Sequence, residues 1–171
     1  MRFIAVCLLA LAAPAYAQSP STPGPYIDIN GGRVSVSSKY ADDSNDLAFG
    51  AGAGYQFSRS LGLELYTRSL SLNPFRGLLS EAGYYPDRTN GVAIIGAAPM
   101  SDHFSITGRL GVGQTTLKSN RSDLSDQHQT DPAIGVGIRY DFNRTVSAEL
   151  EAIRLTKSEA TLVSAGLRFQ F

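Results

Sequence analysis

His103 and Ser105 stand one residue apart. A histidine that takes the proton from a serine hydroxyl turns that oxygen into a nucleophile for acyl transfer. Such a pair also needs an acid to orient the imidazole, and none is obviously placed for it. The two residues fall at a short turn entering a strand, so a polar turn is the better reading, and no catalytic residue is assigned. Gly111-Val-Gly-Gln-Thr-Thr-Leu-Lys118 has the glycines of a phosphate loop but lacks its Gly-Lys-Ser/Thr ending and precedes no helix. Gly50-x-Gly52-x-Gly54 is spaced as one face of a strand, not as a dinucleotide fingerprint. His128 has Asp123, Asp126 and Asp131 near it, and Asp42, Asp43 and Asp46 cluster earlier. Both groups read as solvated loop residues, so no metal is assigned, and no cofactor is implied. Asn120-Arg-Ser122 and Asn143-Arg-Thr145 match the glycosylation acceptor pattern and are read as loop and turn.

A second set of reactive groups recurs at strand spacing. The acids are Asp28, Glu64, Asp141, Glu149 and Glu151; the bases are Arg33, Arg68, Arg109, Arg139 and Arg168. All fall on the polar face of alternating segments. Enclosed and unpaired, each would cost several kcal/mol, so pairing is expected. Arginine suits this because its planar fork meets a carboxylate through two bonds. Glu64, Arg109, Arg139, Asp141, Glu149, Glu151 and Arg168 are therefore expected to form a charge network inside a narrow lumen. It would act as a plug of salt bridges or, alternatively, as a gated polar path; the plug is favoured because few strands leave little bore.

The elements that must position these groups are strands. Period-2 alternation recurs and helical periodicity does not. Eight strands are read, at about 26–37, 47–57, 61–70, 90–99, 104–117, 132–142, 145–155 and 161–171. The apolar face runs through Phe49 to Phe57, Leu61 to Leu65, Phe104 to Val112, Ile134 to Phe142 and Val146 to Ala152. In the last strand Val163, Ala165, Leu167, Phe169 and Phe171 alternate with Ser164, Gly166, Arg168 and Gln170. The fourth strand is apolar on both faces. The first changes phase between Ile27/Ile29 and Val34/Val36, and Gly31-Gly32 between them suggests a bulge. Connections near 58–60, 100–103 and 143–144 are short, whereas those near 38–46, 71–89 and 118–131 are long and polar. Short turns at one end and long loops at the other fit a transmembrane barrel with its long loops outside the cell.

A water-soluble barrel also alternates, with its apolar face inward. Three features oppose that. Lys39, Lys118 and Lys157 avoid strand centres; the polar face is rich in glycine, which relieves crowding in a small lumen; and aromatics gather at strand ends, as in a bilayer girdle. An all-β, eight-stranded antiparallel up-and-down transmembrane barrel follows.

The N-terminus reads as export targeting. Arg2 precedes an apolar run to Ala13, and Ala15-Tyr16-Ala17 is a small-x-small cleavage pattern. The expected organisation is a signal peptide over 1–17, a flexible leader over 18–25 and a barrel over 26–171. Cys7 is the only cysteine and lies in the signal, so disulfide and thiol chemistry are not expected. With 15 basic and 15 acidic side chains, the chain offers no basic nucleic-acid surface.

Several stretches resemble the β-barrel domain of the OmpA-like and OmpX-like outer-membrane proteins: GAGAGYQFSRSLGLELYTR (50–68), PMSDHFSITGRLGVG (99–113), AIGVGIRYDFNRTVSAELEAIR (133–154) and SAGLRFQF (164–171). The resemblance implies a charged lumen and a terminal Phe169/Phe171 segment read by the barrel-insertion machinery. Outer-membrane lipid and lipopolysaccharide are the expected surroundings, a monomer is the expected state, and a host or phage surface is the expected contact of the outer loops. The chain stops at Phe171, so the peptidoglycan-binding domain of OmpA is not implied. Some eight-stranded outer-membrane barrels are lipid A deacylases with a His-x-Ser motif, but here Ile106-Thr107 stand where that family has Asn-Ala. The second loop (Phe75, Tyr84, Tyr85) is the candidate contact surface, or else lies against the outer girdle or packs over the barrel mouth. The reading is a non-enzymatic structural or interaction protein, with a narrow solute pore and a lipid A-modifying enzyme as alternatives.

Overall fold

The computed structural model describes residues 23–36, 46–70, 84–119 and 127–171. Eight antiparallel strands follow one another: β1 Gly24–Val36, β2 Asp46–Ser58, β3 Leu61–Ser69, β4 Tyr84–Pro99, β5 Phe104–Ser119, β6 Gln127–Asp141, β7 Val146–Leu155 and β8 Ala160–Gln170. Each pairs with its neighbour in sequence, and β1 pairs with β8, so the sheet closes into a barrel. Closure leaves no unpaired edge, which is the condition for strands to cross a bilayer. The expected signal peptide and most of the leader lie outside the described residues; β1 begins at Gly24, inside the expected leader.

Alternation sets what each face touches. Leu65, Leu110, Val136 and Leu150 point outward and are between 49% and 64% exposed. Glu64, Arg109, Arg139 and Arg168 point inward and are at most 4% exposed. On β6 the outward apolar run extends from Pro132 to Phe142. At the rise and tilt of barrel strands that is about 25 Å, the height of a bilayer's hydrocarbon band. Tyr55–Phe57 and Tyr140–Phe142 form aromatic pairs, each with ring centroids 5.3 Å apart, at the short-turn end.

Three expectations need correction. β4 starts at Tyr84, six residues before the expected 90, and β6 starts at Gln127 rather than 132. Their outer ends are polar, and β5 offers them a long partner: β4 and β5 pair from Tyr84↔Ser119 downward. The apolar phase of β4 is also settled, with Val92 and Ile94 outward and Ala93 and Ile95 inward. Finally, β1 has no bulge at Gly31-Gly32; its register with β2 and with β8 runs unbroken. The backbone keeps its phase, so Arg33 is outward and Val34 inward. What changes along β1 is the surroundings: past Gly32 the lumen becomes apolar and the outside polar.

Glycine decides where large lumen side chains can lie. A Cβ added at Gly113 would sit 2.8 Å from the Tyr66 hydroxyl, 2.9 Å from the Asn90 carbonyl oxygen and 2.9 Å from the Thr89 hydroxyl. At the outward Gly108 nothing lies within 4 Å of such an atom. Gly113→Val is expected to lower stability by about 1–3 kcal/mol through overpacking. Gly108→Val is expected to be neutral or mildly stabilising. Urea unfolding of the two variants in lipid vesicles checks this; equal midpoints would contradict a packed lumen.

Candidate functional site

β2 and β4 turn small residues inward, such as Gly50, Gly52 and Gly54 on one and Gly91 and Ala93 on the other. The other strands send long side chains across that space. Tyr26 lies against Gly54, where an added Cβ would fall 2.5 Å from its hydroxyl. The lumen is thus filled from six strands over a floor supplied by two.

At its centre seven charged side chains alternate in one continuous chain. Arg139 Nε meets Glu149 Oε1 at 2.6 Å, and the same carboxylate oxygen lies 3.1 Å from Arg168 Nε. Arg168 Nη2 is 3.4 Å from Glu64 Oε2, and Glu64 Oε1 is 2.7 Å from Arg109 Nη1. Arg109 Nε then meets Glu151 Oε1 at 2.6 Å, and Glu151 Oε2 is 3.3 Å from Arg68 Nη2. Glu64 is wholly buried, and the Tyr26 hydroxyl donates to its Oε2 at 3.1 Å. Arg168 stacks on the Tyr26 ring, 3.8 Å from its centroid, while Arg68 and Arg109 approach Tyr66 at 5.5 and 5.6 Å. Asp28, buried beside the chain, accepts a bond from Asn30 Nδ2 at 3.0 Å. Four arginines (68, 109, 139, 168) thus face four acids (Asp28, Glu64, Glu149, Glu151) in this central cluster, as many groups of one sign as of the other. Balance matters here because an uncompensated ion in low dielectric costs several kcal/mol.

Asp141 stands apart from this chain. It lies toward the short-turn end, where its Oδ1 accepts from the Ser147 hydroxyl at 2.6 Å. Arg33 is exposed on the outer face and not in the lumen. Toward the long-loop end the lumen closes a second time, now with an apolar cluster: Val34, Ala48, Leu70, Ile153, Leu155 and Leu162, all at most 5% exposed. Above it Asp131, fully buried, accepts from the backbone N–H of Lys157 at 2.8 Å and of Ser158 at 3.1 Å, and from the Ser158 hydroxyl. This pins the β7–β8 turn. Two cavities flank the ion chain, one under the apolar cluster and one beside Asp28 and Glu149. Each is large enough for about one water molecule.

His103 and Ser105 do not form a nucleophile–base pair. His103 is exposed on its turn and its Nδ1–H donates to the Asp141 carbonyl oxygen at 2.8 Å, whereas Ser105 is buried inside the barrel. His128 lies in β6 rather than in a loop, with Nδ1 3.2 Å from the Thr116 hydroxyl. Phe75 lies outside the described residues; Tyr84 and Tyr85 belong to the outer end of β4, paired with Ser119 and Lys118. Phe169 points outward on β8, and Phe171 is held at the seam by its N–H bond to the Pro25 carbonyl at 2.9 Å. The apolar cluster escaped sequence reading. Its signal was the swap of Arg33-Val34 and of Ile153-Arg154-Leu155 against the phase of the strand below, which reads equally well as a bulge.

The model of the outer membrane protein beta-barrel domain matches residues 3–171. Among solved structures, Neisserial surface protein A is similar at 16% identity and a TM-score of 0.60, over 86% of this chain and 97% of its own. The Yersinia pestis attachment invasion locus protein Ail, in complex with the heparin analogue sucrose octasulfate, is similar at 14% identity and a TM-score of 0.52, over 87% and 97%. The N-terminal β-barrel domain of Pseudomonas aeruginosa OprF is similar at 16% identity and a TM-score of 0.52, over 88% and 100%. At these identities the likeness is one of fold. No curated protein matches the chain.

Glu64 bonds two arginines and a tyrosine, so Glu64→Ala is expected to cost about 3–5 kcal/mol by stranding buried cations. Arg68→Met, at the end of the chain with one contact at 3.3 Å, is expected to cost clearly less. Urea unfolding in vesicles compares them; a loss below about 1 kcal/mol for Glu64→Ala would mean that the lumen charges are hydrated rather than paired.

Proposed function

The chain belongs to the outer membrane protein beta-barrel family, and from that premise we propose that it is a non-enzymatic stake in the bacterial outer membrane that presents its outer loops as the working surface. The observation that carries this reading is the double closure of the lumen. Solute crossing it would have to break the chain from Arg139 to Arg68 and then part the Val34–Leu162 cluster. Neither step is cheap in an eight-stranded barrel, whose interior is filled by side chains. That weighs against a solute pore. The separation of exposed His103 from buried Ser105 weighs against lipid A hydrolysis, which needs base and nucleophile within hydrogen-bond reach.

With lumen and turn set aside, the long loops remain. Ail, of the same fold, has been solved with a sulfated heparin analogue, so a barrel of this kind can take a ligand. In this chain the contact residues proposed are Phe75, Tyr84 and Tyr85. Phe169 and Phe171 are proposed as the signal read by the insertion machinery, since both sit at the end of the closing strand.

Two measurements test the reading. The refolded protein in planar bilayers is expected to pass no steady current, and Arg109→Ala is expected to stay silent because the apolar cluster is untouched; steady wild-type conductance would restore the pore. Bacteria displaying the chain are expected to bind epithelial monolayers, with the triple variant Phe75→Ser/Tyr84→Ser/Tyr85→Ser losing most of that binding at unchanged surface level. Undiminished binding by the variant would remove these residues from the contact surface.

A further inference from the structure

Arginines gather on the outward faces of the strands at one end of the barrel. Among the described side chains there, the arginines are Arg33, Arg88 and Arg154, and Asp87 stands beside Arg88 at a register shift of β4. All three arginines sit at the long-loop end; the outward strand positions at the short-turn end carry none. An arginine at the edge of an apolar band keeps its stem along the hydrocarbon and its guanidinium in the headgroup layer. A rim that is cationic at one end alone fits a leaflet whose headgroups are anionic on that side alone.

Two of the three converge. Arg154 on β7 pairs in register with Thr161 on β8, and Thr161 pairs with Ser35 on β1, two residues beyond Arg33. All four residues share the outward parity. Two strands across and two residues along, the two arginines lie about 12 Å apart at sheet spacing, so both guanidiniums can reach one group between them. Arg154 Nη1 is held by the Thr161 hydroxyl at 2.8 Å, which lays its side chain over β8. Arg33 makes no ion pair among the described residues. Directly beside Arg33 in register are Leu47 and Val163, 61% and 50% exposed, which continue the lipid-facing surface. Cationic donors, hydroxyls and an apolar strip thus follow one another down a single stripe.

We infer that Arg33 and Arg154, with Thr161 and Ser35 between them, bind the phosphate of a phosphorylated glycolipid of the outer leaflet, its acyl chains lying on Leu47 and Val163. Arginine is the appropriate donor because its fork engages phosphate oxygens in pairs. The inference rests on the membrane reading, and the ligand is the lipid rather than free phosphate because the stripe joins the charge to hydrocarbon.

Native mass spectrometry of the refolded protein in micelles, titrated with diphosphorylated lipid A, tests it. The wild type is expected to retain lipid A, and Arg33→Gln/Arg154→Gln to bind it about tenfold or more weakly, through loss of charge-assisted bonds. Dephosphorylated lipid A is expected to bind the wild type no better than that variant. Arg88→Gln, on the far side of the barrel, is expected to keep wild-type affinity. Heat-modifiable migration reports that each barrel is closed; Arg33→Gln alone carries the test should the double variant not fold. Unchanged binding by a folded variant overturns the site, and so does an equal loss with Arg88→Gln. Displacement of lipid A by equimolar inorganic pyrophosphate overturns the lipid as ligand. A wild type that forms no closed barrel in any bilayer sinks the membrane reading itself.

Discussion

Eight strands enclose room for side chains and for little else, and the structure follows from how that room is filled. A cylinder this narrow cannot hold bulky groups from every strand. β2 and β4 yield by turning small residues inward, and the remaining strands reach across them. Once long polar side chains occupy a space without bulk water, pairing becomes obligatory, because each ion forfeits its hydration. The alternating chain from Arg139 to Arg68 answers that demand, with Glu64 as the shared centre. The two tyrosines serve the same end: their rings cover guanidinium faces that no carboxylate reaches.

Much of this was legible in the order of residues. A strand that alternates to the last residue, glycines two apart on the opposite face and lysines kept from strand centres all have one physical cause, a sheet with hydrocarbon on one side and a crowded interior on the other. Strand number, the closed antiparallel order and the β8 faces followed directly. Where a strand passes beyond the bilayer the same pattern misleads. Above Gly32 and above Ala152 the apolar residues move to the inner face while the backbone continues unchanged. A pattern rule that ties apolar to outward must then invent a bulge. The outer parts of β4 and β6 were missed for a related reason: polar strand ends paired with a long neighbour carry no hydrophobic periodicity.

The His103-x-Ser105 spacing shows the opposite lesson. Residues two apart share a face only inside a strand, and His103 precedes β5 on the turn. One side chain therefore goes to the exposed turn and the other to the lumen, and spacing alone has no means of saying so.

The ion chain also bears on assembly. Its links join residues far apart in sequence: Glu64 with Arg168 across 104 positions, and Arg68 with Glu151 across 83. None of the contacts to Arg168 can exist before the last strand arrives. A partly built sheet would therefore hold its glutamates and arginines open to water, and only the meeting of β8 with β1 removes that water and joins the charges. Closure of the seam and completion of the ion chain through Arg168 are then one event.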